Sequence, residues 1–298
     1  MIGGDSMKIW LGALLALLPT AAWAQDCPPS GWTQARLEEL RAARFEIADT
    51  AARERFAAAI MACVGSRDPA LRDGIAFEGL THMLRAGQLG TATKLRIARD
   101  LLARLEQPDP DGFGPPFAAL LLSETIRADM IETYLPADLR DAIVAAGADY
   151  IENVHDYRGF DAREGWRHGV AHGADLLMQI ARNPNVTERP QFERLRDAVA
   201  TQIAPNSHFY IYGEPERLAR PILFLARRQI FSEAEWTAWF MRIAETARQD
   251  AVGTQAGLAR RHNARAFLFA VVVNARLGQD AGDDVLLPGA EAALPAMF

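Results

Sequence analysis

The sequence predicts an all-helical protein, and three observations support this fold class. Apolar residues recur with a period near 3.6 along almost the whole chain, as they do on the buried face of a helix. Capping residues, glycines and prolines separate the periodic segments from one another. A strand-like pattern occurs only at residues 209–212, which is too short a stretch to change the fold class.

Most of the predicted helices have recognisable start or stop signals. Asp49 is a good N-cap, and Asp68 followed by Pro69 opens the next helix. Ser232 and Glu235 form the pattern of a capping box. The predicted helices occupy residues 31–43, 50–64, 69–86, 91–105, 117–128, 136–154, 166–181 and 191–203, segments that open at 215 and 232, and residues 254–277.

The predicted helices come in pairs, and each pair takes up about 40–50 residues. This spacing favours an armadillo- or HEAT-like helical-repeat solenoid, or an α/α toroid, of about eleven helices. The pairs do not resemble one another in sequence, so the prediction rests on spacing alone. We expect one helical-repeat domain over residues 25–278 and a weakly ordered tail over residues 279–298.

The first residues have the three parts of a secretory signal. Lys8 supplies the positive charge, residues 9–18 are apolar, and Ala22 and Ala24 are the small residues of a cleavage site. The apolar run is too short to span a bilayer. The sequence therefore predicts a signal peptide over residues 1–24 and a periplasmic or secreted protein.

The two cysteines fit the same compartment. Cys27 precedes the first predicted helix and Cys63 ends the second, and an antiparallel helix pair brings those two ends together. An even number of cysteines in an exported protein indicates a disulfide. The alternative is a pair of buried free thiols.

Composition excludes two classes of partner. The net charge of −6 argues against nucleic acid, which requires a basic face. After the signal peptide no run of apolar residues is long enough to span a membrane.

The most unusual segment contains two histidines four residues apart, His168 and His172, with Asp175 three residues further on. In a helix, these positions share one face that is otherwise expected to be apolar. Gly169 and Gly173 are poor helix formers, which indicates that another helix or a ligand approaches the backbone closely.

Three interpretations of this cluster are open. The spacing of His168 and His172 is one that metalloenzymes use, so with Asp175 they could bind a divalent metal, although the general-base glutamate of zinc proteases is replaced by Gly169. The same side chains could form a catalytic or ligand-binding site without a cofactor. They could also form a buried hydrogen-bonded network, for which arginines 158, 217 and 220 are available as partners of Asp175.

A second polar cluster follows at residues 206–220. Glu214 and Glu216 are predicted partners of the histidines in catalysis. Aromatic and charged residues in these two segments could line a cleft for a sugar or a peptide, and ordinary loop packing is the alternative. The predicted ligand-binding residues are Asp156, Arg158, Trp166, Tyr210, Tyr212 and Arg217.

Several short segments carry a resemblance to one family. They are Asp68-Pro-Ala-Leu-Arg-Asp73, Phe117-Ala-Ala-Leu-Leu121, Asp156-x-Arg-Gly159, Gly165-Trp-x-His168, Ala171-His-Gly-Ala-Asp-Leu176 and Glu216-Arg-Leu218. Over residues 66–275 or so, the chain resembles the domain of unknown function 2785 family. The resemblance implies an all-helical, repeat-like fold and no established activity. One departure is Gly114-Pro-Pro before Phe117, where an Arg-Ser-Phe-Ser-like pattern is expected.

Two functions from different classes are compatible with these patterns. The first is an exported scaffold that binds a peptide, a sugar or a protein on the concave face of a helical array. The alternative is a hydrolase or lyase that uses His168, His172 and Asp175, with or without a metal.

Overall fold

The structure is a computed structural model that describes residues 27–298. The predicted signal peptide at residues 1–24 lies outside the described residues. Within residues 27–298, no helix is both long enough and apolar enough to cross a membrane.

Helices make up most of the described chain, so the all-helical prediction is confirmed. The twelve helices within residues 27–298 are α1 (Gln34–Ala42), α2 (Thr50–Ile60), α3 (69–85), α4 (Thr91–Leu105), α5 (Gly114–Ile131), α6 (Ala137–Glu152), α7 (Gly169–Arg182), α8 (Arg189–Thr201), α9 (Glu214–Arg227), α10 (Glu233–Ala247), α11 (Gln255–Leu277) and α12 (Leu287–Ala293). Helix α3 is continuous, but a π-helical turn at Arg72–Phe77 interrupts its regular geometry.

The predicted capping residues are in place. The Asp49 side chain accepts a hydrogen bond from the Ala52 amide at 2.6 Å, which satisfies one of the free amides at the start of α2. Ser232 and Glu235 form the reciprocal capping box that opens α10. These contacts explain why the helix starts could be predicted from local sequence.

A two-stranded hairpin lies between α6 and α7. Strand β1 (Phe160–Asp161) pairs antiparallel with β2 (Gly165–Trp166). The sequence predicted irregular structure here and a strand-like stretch at residues 209–212, where the structure has a loop.

Two rows of helices can be followed, and within each row a helix packs against the helix two positions further along the chain. Helices α5, α7, α9 and α11 contact one another in that order, and α4, α6 and α8 do the same. Helix α7 lies in the middle of the first row, and nearly all of its residues are buried. Its packing therefore fixes the side chains at its N-terminal end.

The close approach predicted from the two glycines of α7 is made by α6. A Cβ atom at Gly173 would lie 3.1 Å from the ring of Tyr150, and one at Gly169 would lie 3.2 Å from the Tyr150 hydroxyl. That hydroxyl donates a hydrogen bond to the Gly169 carbonyl at 3.3 Å. The glycines therefore allow two helices to pack closely.

The predicted disulfide is confirmed. Cys27 and Cys63 are bonded, with their Cα atoms 5.2 Å apart. The bond joins the segment before α1 to the short 3₁₀ turn Met61–Cys63 that follows α2.

The C-terminal segment differs from the expectation of a weakly ordered tail. Ala281–Leu286 and Leu294–Met297 form 3₁₀ turns on either side of α12, and the whole segment packs on α10 and α11. Pro288 occupies the first turn of α12, where no amide donor is needed. The buried residues that hold the segment are Leu286, Ala290, Ala293 and Met297.

A buried carboxylate holds the turns that follow α5 and α7 together. Asp129 is fully buried and accepts hydrogen bonds from the backbone amides of Tyr134 at 3.0 Å and Leu135 at 2.8 Å. Its second oxygen accepts hydrogen bonds from Arg140 at 2.9 Å and Asn183 at 3.0 Å. Burial alone would raise the pKa of Asp129, but these hydrogen bonds outweigh it and lower the pKa.

We expect Asp129→Ala to lower the free energy of unfolding by about 3–5 kcal/mol, because it leaves the buried Arg140 without its carboxylate. Urea denaturation followed by circular dichroism measures the change. Glu132→Ala is the control, since its exposed side chain makes only a 3.5 Å contact with Lys94. That contact contributes less than about 1 kcal/mol. Equal effects of the two substitutions would contradict the assigned role of Asp129.

Candidate functional site

Side chains from separate parts of the chain meet at the N-terminal end of α7. The guanidinium of Arg72, on α3, lies 4.7 Å from the ring centre of Phe117 on α5. The Phe117 ring packs edge-on against His172 at 5.1 Å, and the His172 and His168 ring centres are 5.9 Å apart. All four residues belong to segments that carry the family resemblance, so those segments form one cluster in space.

The side chain of Arg72 connects α3 to the β1–β2 hairpin. Its side chain is completely buried and donates to the Glu164 carbonyl at 2.8 Å and to the Ser66 carbonyl at 2.9 Å. The Asp73 carboxylate supplies the opposite charge and accepts a hydrogen bond from Arg72 Nε at 2.9 Å. The π-helical turn places Arg72 here, and such turns are frequent at functional sites.

A second arginine completes the support of the hairpin. Arg167 lies over the Phe113 ring at 4.2 Å, the same distance as Arg72, so both cations contact one aromatic ring. Arg167 also donates to the Asp111 carbonyl and to the Glu164 carboxylate, both at 2.7 Å. The hairpin is therefore fixed to the α3 and α5 region by two buried cations.

His168 lies just before α7 and not within it, which corrects the predicted helix bounds. Its backbone is left-handed with φ of 56°, an uncommon conformation for a residue other than glycine. Its ring stacks on Trp166 at 4.7 Å, and its Nε2 lies 3.8 Å from Glu214 and has no hydrogen-bond partner among residues 27–298. Burial, assisted by the charge of Arg217, lowers the pKa of His168 to about 4.

His172 lies one turn into α7 and is 6% exposed. Its Nδ1 is buried and has no hydrogen-bond partner within the described chain. Burial lowers the pKa of His172 well below its ordinary value, and the neighbouring His168 and Arg217 act in the same direction. Both imidazoles are therefore uncharged near neutral pH.

Asp175 faces α9 and forms an ion pair there. Its carboxylate accepts two hydrogen bonds from Arg217, one of them at 2.9 Å, and lies 3.8 Å from Arg220. Burial raises the pKa of Asp175 even though Arg217 opposes the shift. No group of three or more His, Cys, Asp or Glu side chains in residues 27–298 could hold a metal ion. The expected ligand set of His168, His172 and Asp175 is therefore not assembled.

An exposed group of apolar side chains packs over His168, and we call it the aromatic face. Its rings contact one another, with Trp166 5.1 Å from Phe160 and 5.6 Å from Tyr212. Phe160 is nevertheless 50% exposed, Trp166 37% and Ile211 69%. The aromatic face consists of Phe160, Trp166, Ile211 and Tyr212.

A glycine beneath this face lets Tyr212 lie flat against the hairpin. A Cβ atom at Gly159 would overlap the Tyr212 ring, at 2.0 Å from the nearest ring carbon. The Tyr212 hydroxyl also donates to the Phe160 carbonyl at 3.4 Å. The loop before α9 and the hairpin therefore form one surface.

The two predicted catalytic glutamates are placed differently. Glu214 is buried, and one of its oxygens accepts a hydrogen bond from the Tyr212 amide at 2.9 Å while the other faces His168. Glu216 is exposed on the first turn of α9 and makes no ion pair or hydrogen bond with the described residues. The structure brings Glu214 to the histidine pair and leaves Glu216 outside it.

The remaining predicted ligand-binding residues do not lie together on one surface. Asp156 and Arg158 form an ion pair with each other in the loop before β1, at 2.5 Å. Tyr210 is 3% exposed and donates to the Gln202 carbonyl at 2.9 Å, so it is a core residue and not part of the exposed surface.

The sequence did not single out a sizeable cleft on another part of the described chain. It has a volume of about 630 Å³ and lies between α8 and α10, beside the loop that contains Tyr157. Its walls come from residues far apart in sequence, such as Asp197 and Arg242, so no local motif could indicate it. Phe160 and Arg72 were missed as site residues for the same reason.

Comparison with known proteins identifies the family. A family model described as "Protein of unknown function (DUF2785)" matches residues 101–273, more than half of the chain, and the chain belongs to this family. The matched stretch runs from α4 into α11 and includes the hairpin and α7, whereas Arg72 precedes it. No curated protein and no solved structure matches the chain.

We expect the folded protein to keep His168 unprotonated until the pH falls to about 4. In the unfolded chain the ordinary pKa of about 6.5 applies. The stability that neutral His168 contributes is therefore complete above that value and is lost as the pH falls toward 4, at about 1.4 kcal/mol per pH unit. An NMR titration of the ring protons, assigned with His168→Gln, measures the folded midpoint. A midpoint near 6.5 would contradict the burial of this ring.

Proposed function

We propose that this protein is a binding protein, that its ligand is a saccharide, and that the ligand lies on the aromatic face. One observation carries the proposal: the rings of Phe160 and Tyr212 both pack on Trp166, and Phe160 and Trp166 nevertheless remain exposed to solvent. Large exposed apolar side chains grouped in this way are typical of interaction sites.

The chemistry of a sugar suits this surface. A pyranose ring has an apolar carbon–hydrogen face, which can pack on an aromatic ring, and a rim of hydroxyl groups, which require polar partners. Polar partners are close in the chain, because Asp161 adjoins Phe160, Glu216 follows shortly after Tyr212, and both are exposed. A surface of this composition can therefore satisfy both parts of a saccharide.

The size of the face favours a saccharide over a protein partner. A stable protein interface takes about 20–30 residues on each side. The aromatic face has four, and the charged residues Asp161 and Glu216 flank it in the chain. One or two sugar rings could cover it.

The histidines support this surface from below. The His168 ring stacks under Trp166 with an angle of 22° between the planes. Because its pKa is lowered to about 4, the ring stays neutral and places no charge beneath the apolar face. In this proposal, His168 and His172 are positioning residues.

The helices form a helical-repeat array in this proposal, with residues 25–298 as one domain. The support is the packing of every second helix along the rows α5–α7–α9–α11 and α4–α6–α8, as expected when antiparallel pairs stack. The C-terminal segment joins the domain because it packs on α10 and α11.

The proposed location is periplasmic or extracellular, with residues 1–24 as the signal peptide. The Cys27–Cys63 disulfide supports it, because disulfides persist mainly in oxidising compartments.

A hydrolase or lyase is the second candidate, and a specific observation favours it. Two buried imidazoles each retain a ring nitrogen that has no hydrogen-bond partner in the described part of the chain, and Glu214 lies 3.8 Å from one of them. Buried polar atoms are usually paired, and ionisable groups with shifted pKa values concentrate at active sites. In this candidate, His168 or His172 moves a proton and Asp175 only holds Arg217 in place.

We expect Trp166→Ala to abolish binding to neutral oligosaccharides that the wild type retains on a glycan array, because it removes the centre of the aromatic face. Phe269→Ala is the matched control, since Phe269 is an equally exposed aromatic residue on α11. Binding lost in both variants, or no binding by the wild type to any glycan, would contradict the proposal.

The same glycans separate the two candidates. Chain shortening of a bound glycan by the wild type, absent with His172→Asn, would favour the enzyme. An intact glycan after prolonged incubation favours the binding protein.

A further inference from the structure

The cleft between α8 and α10 is a second place where a ligand could bind. Its volume of about 630 Å³ falls within the range of roughly 300–1,000 Å³ that is typical of ligand pockets. The segments around Tyr157 and Ser207 close one side of it. It shares no lining residue with the aromatic face.

Apolar side chains form part of its wall. Trp239 and Ile243 lie one helical turn apart on the cleft side of α10, and only their edges reach the cleft, since both are almost completely buried. Tyr157 adds an aromatic ring that is fixed by stacking on His208 at 5.4 Å. This part of the cleft suits an apolar side chain of a ligand.

One arginine that lines the cleft has a guanidinium without a partner among the described residues. The guanidinium of Arg242, on α10, makes no ion pair, hydrogen bond or ring contact with the described residues. Arg260 also lines the cleft, but it is held by Asp250 at 2.5 Å and by the Ala204 carbonyl at 2.8 Å. Arg242 is therefore the cation available to an anionic group.

The opposite charge is on α8. Asp197 is exposed, and its partner is the adjacent Arg196 on the same helix, at 3.0 Å. The C-terminal carbonyls of α8, which end at Thr201 on the cleft wall, add negative potential. Asp197 and Arg242 do not pair with each other, so the cleft keeps two separate charges of opposite sign.

We propose that this cleft binds a short peptide with free ends. The peptide ammonium group lies at Asp197 and the α8 carbonyls, its terminal carboxylate lies at Arg242, and an apolar side chain packs on Trp239 and Ile243. This site is independent of the aromatic face and of the saccharide proposal.

Isothermal titration of the whole protein with the dipeptide alanyl-leucine and its two capped forms tests the proposal. N-acetylation removes the ammonium charge, and C-amidation removes the carboxylate charge. We expect saturable binding of the free dipeptide and about tenfold weaker binding of each capped form, because each cap removes one charge-assisted contact.

Variants assign each end of the peptide. With Asp197→Asn, acetylation should no longer weaken binding while amidation still does, and with Arg242→Gln the pattern should be reversed. Arg248→Gln, at the exposed end of α10 outside the cleft, should behave as the wild type. Thermal melting of each variant verifies the fold. Absence of saturable binding, or equal effects of both caps in all variants, would overturn the proposal.

Discussion

The arrangement of the site depends on one buried cation. Arg72 is completely enclosed, and its guanidinium donates to the Ser66 carbonyl and to the Glu164 carbonyl, which lies 92 residues further along the chain than Arg72. A buried charge is stable only when it is paired and its donors are used. Asp73 and the flanking phenylalanine rings meet that requirement, and as a result the hairpin has one position relative to α3 and α5.

The position of the hairpin determines the surroundings of His168 and Trp166. Arg167 and His168 follow β2, and their amides bond to the Gly159 and Arg158 carbonyls at 3.0 and 3.1 Å. This pairing holds His168 in its left-handed backbone and turns its ring under Trp166. The histidines are therefore shielded from solvent and neutral, and the exposed part of the site is aromatic.

The sequence predicted those features that depend on interactions between residues close together in the chain. Caps such as Asp49 gave the helix starts, and cysteine positions gave the disulfide. The histidine segment was recognised, but its helical spacing implied a shared face that the left-handed His168 breaks. The link from Arg72 to the hairpin and the cleft beside Arg242 arise from contacts between distant parts of the chain, so single-sequence patterns do not contain them. The packed C-terminal segment was missed because its position depends on packing against α10 and α11 and not on a local sequence pattern.

The role of Arg72 is tested most directly by hydrogen–deuterium exchange in Arg72→Met, which keeps the side-chain volume and removes the charge. In Arg72→Met we expect the amides of residues 158–168 to exchange at least about tenfold faster than in the wild type, while the amides of α10 and α11 keep their protection. Arg41→Met is the control, because Arg41, on α1, pairs with Glu78 on α3, the helix that carries Arg72, but is half exposed. Unchanged exchange in the hairpin of Arg72→Met would contradict the account.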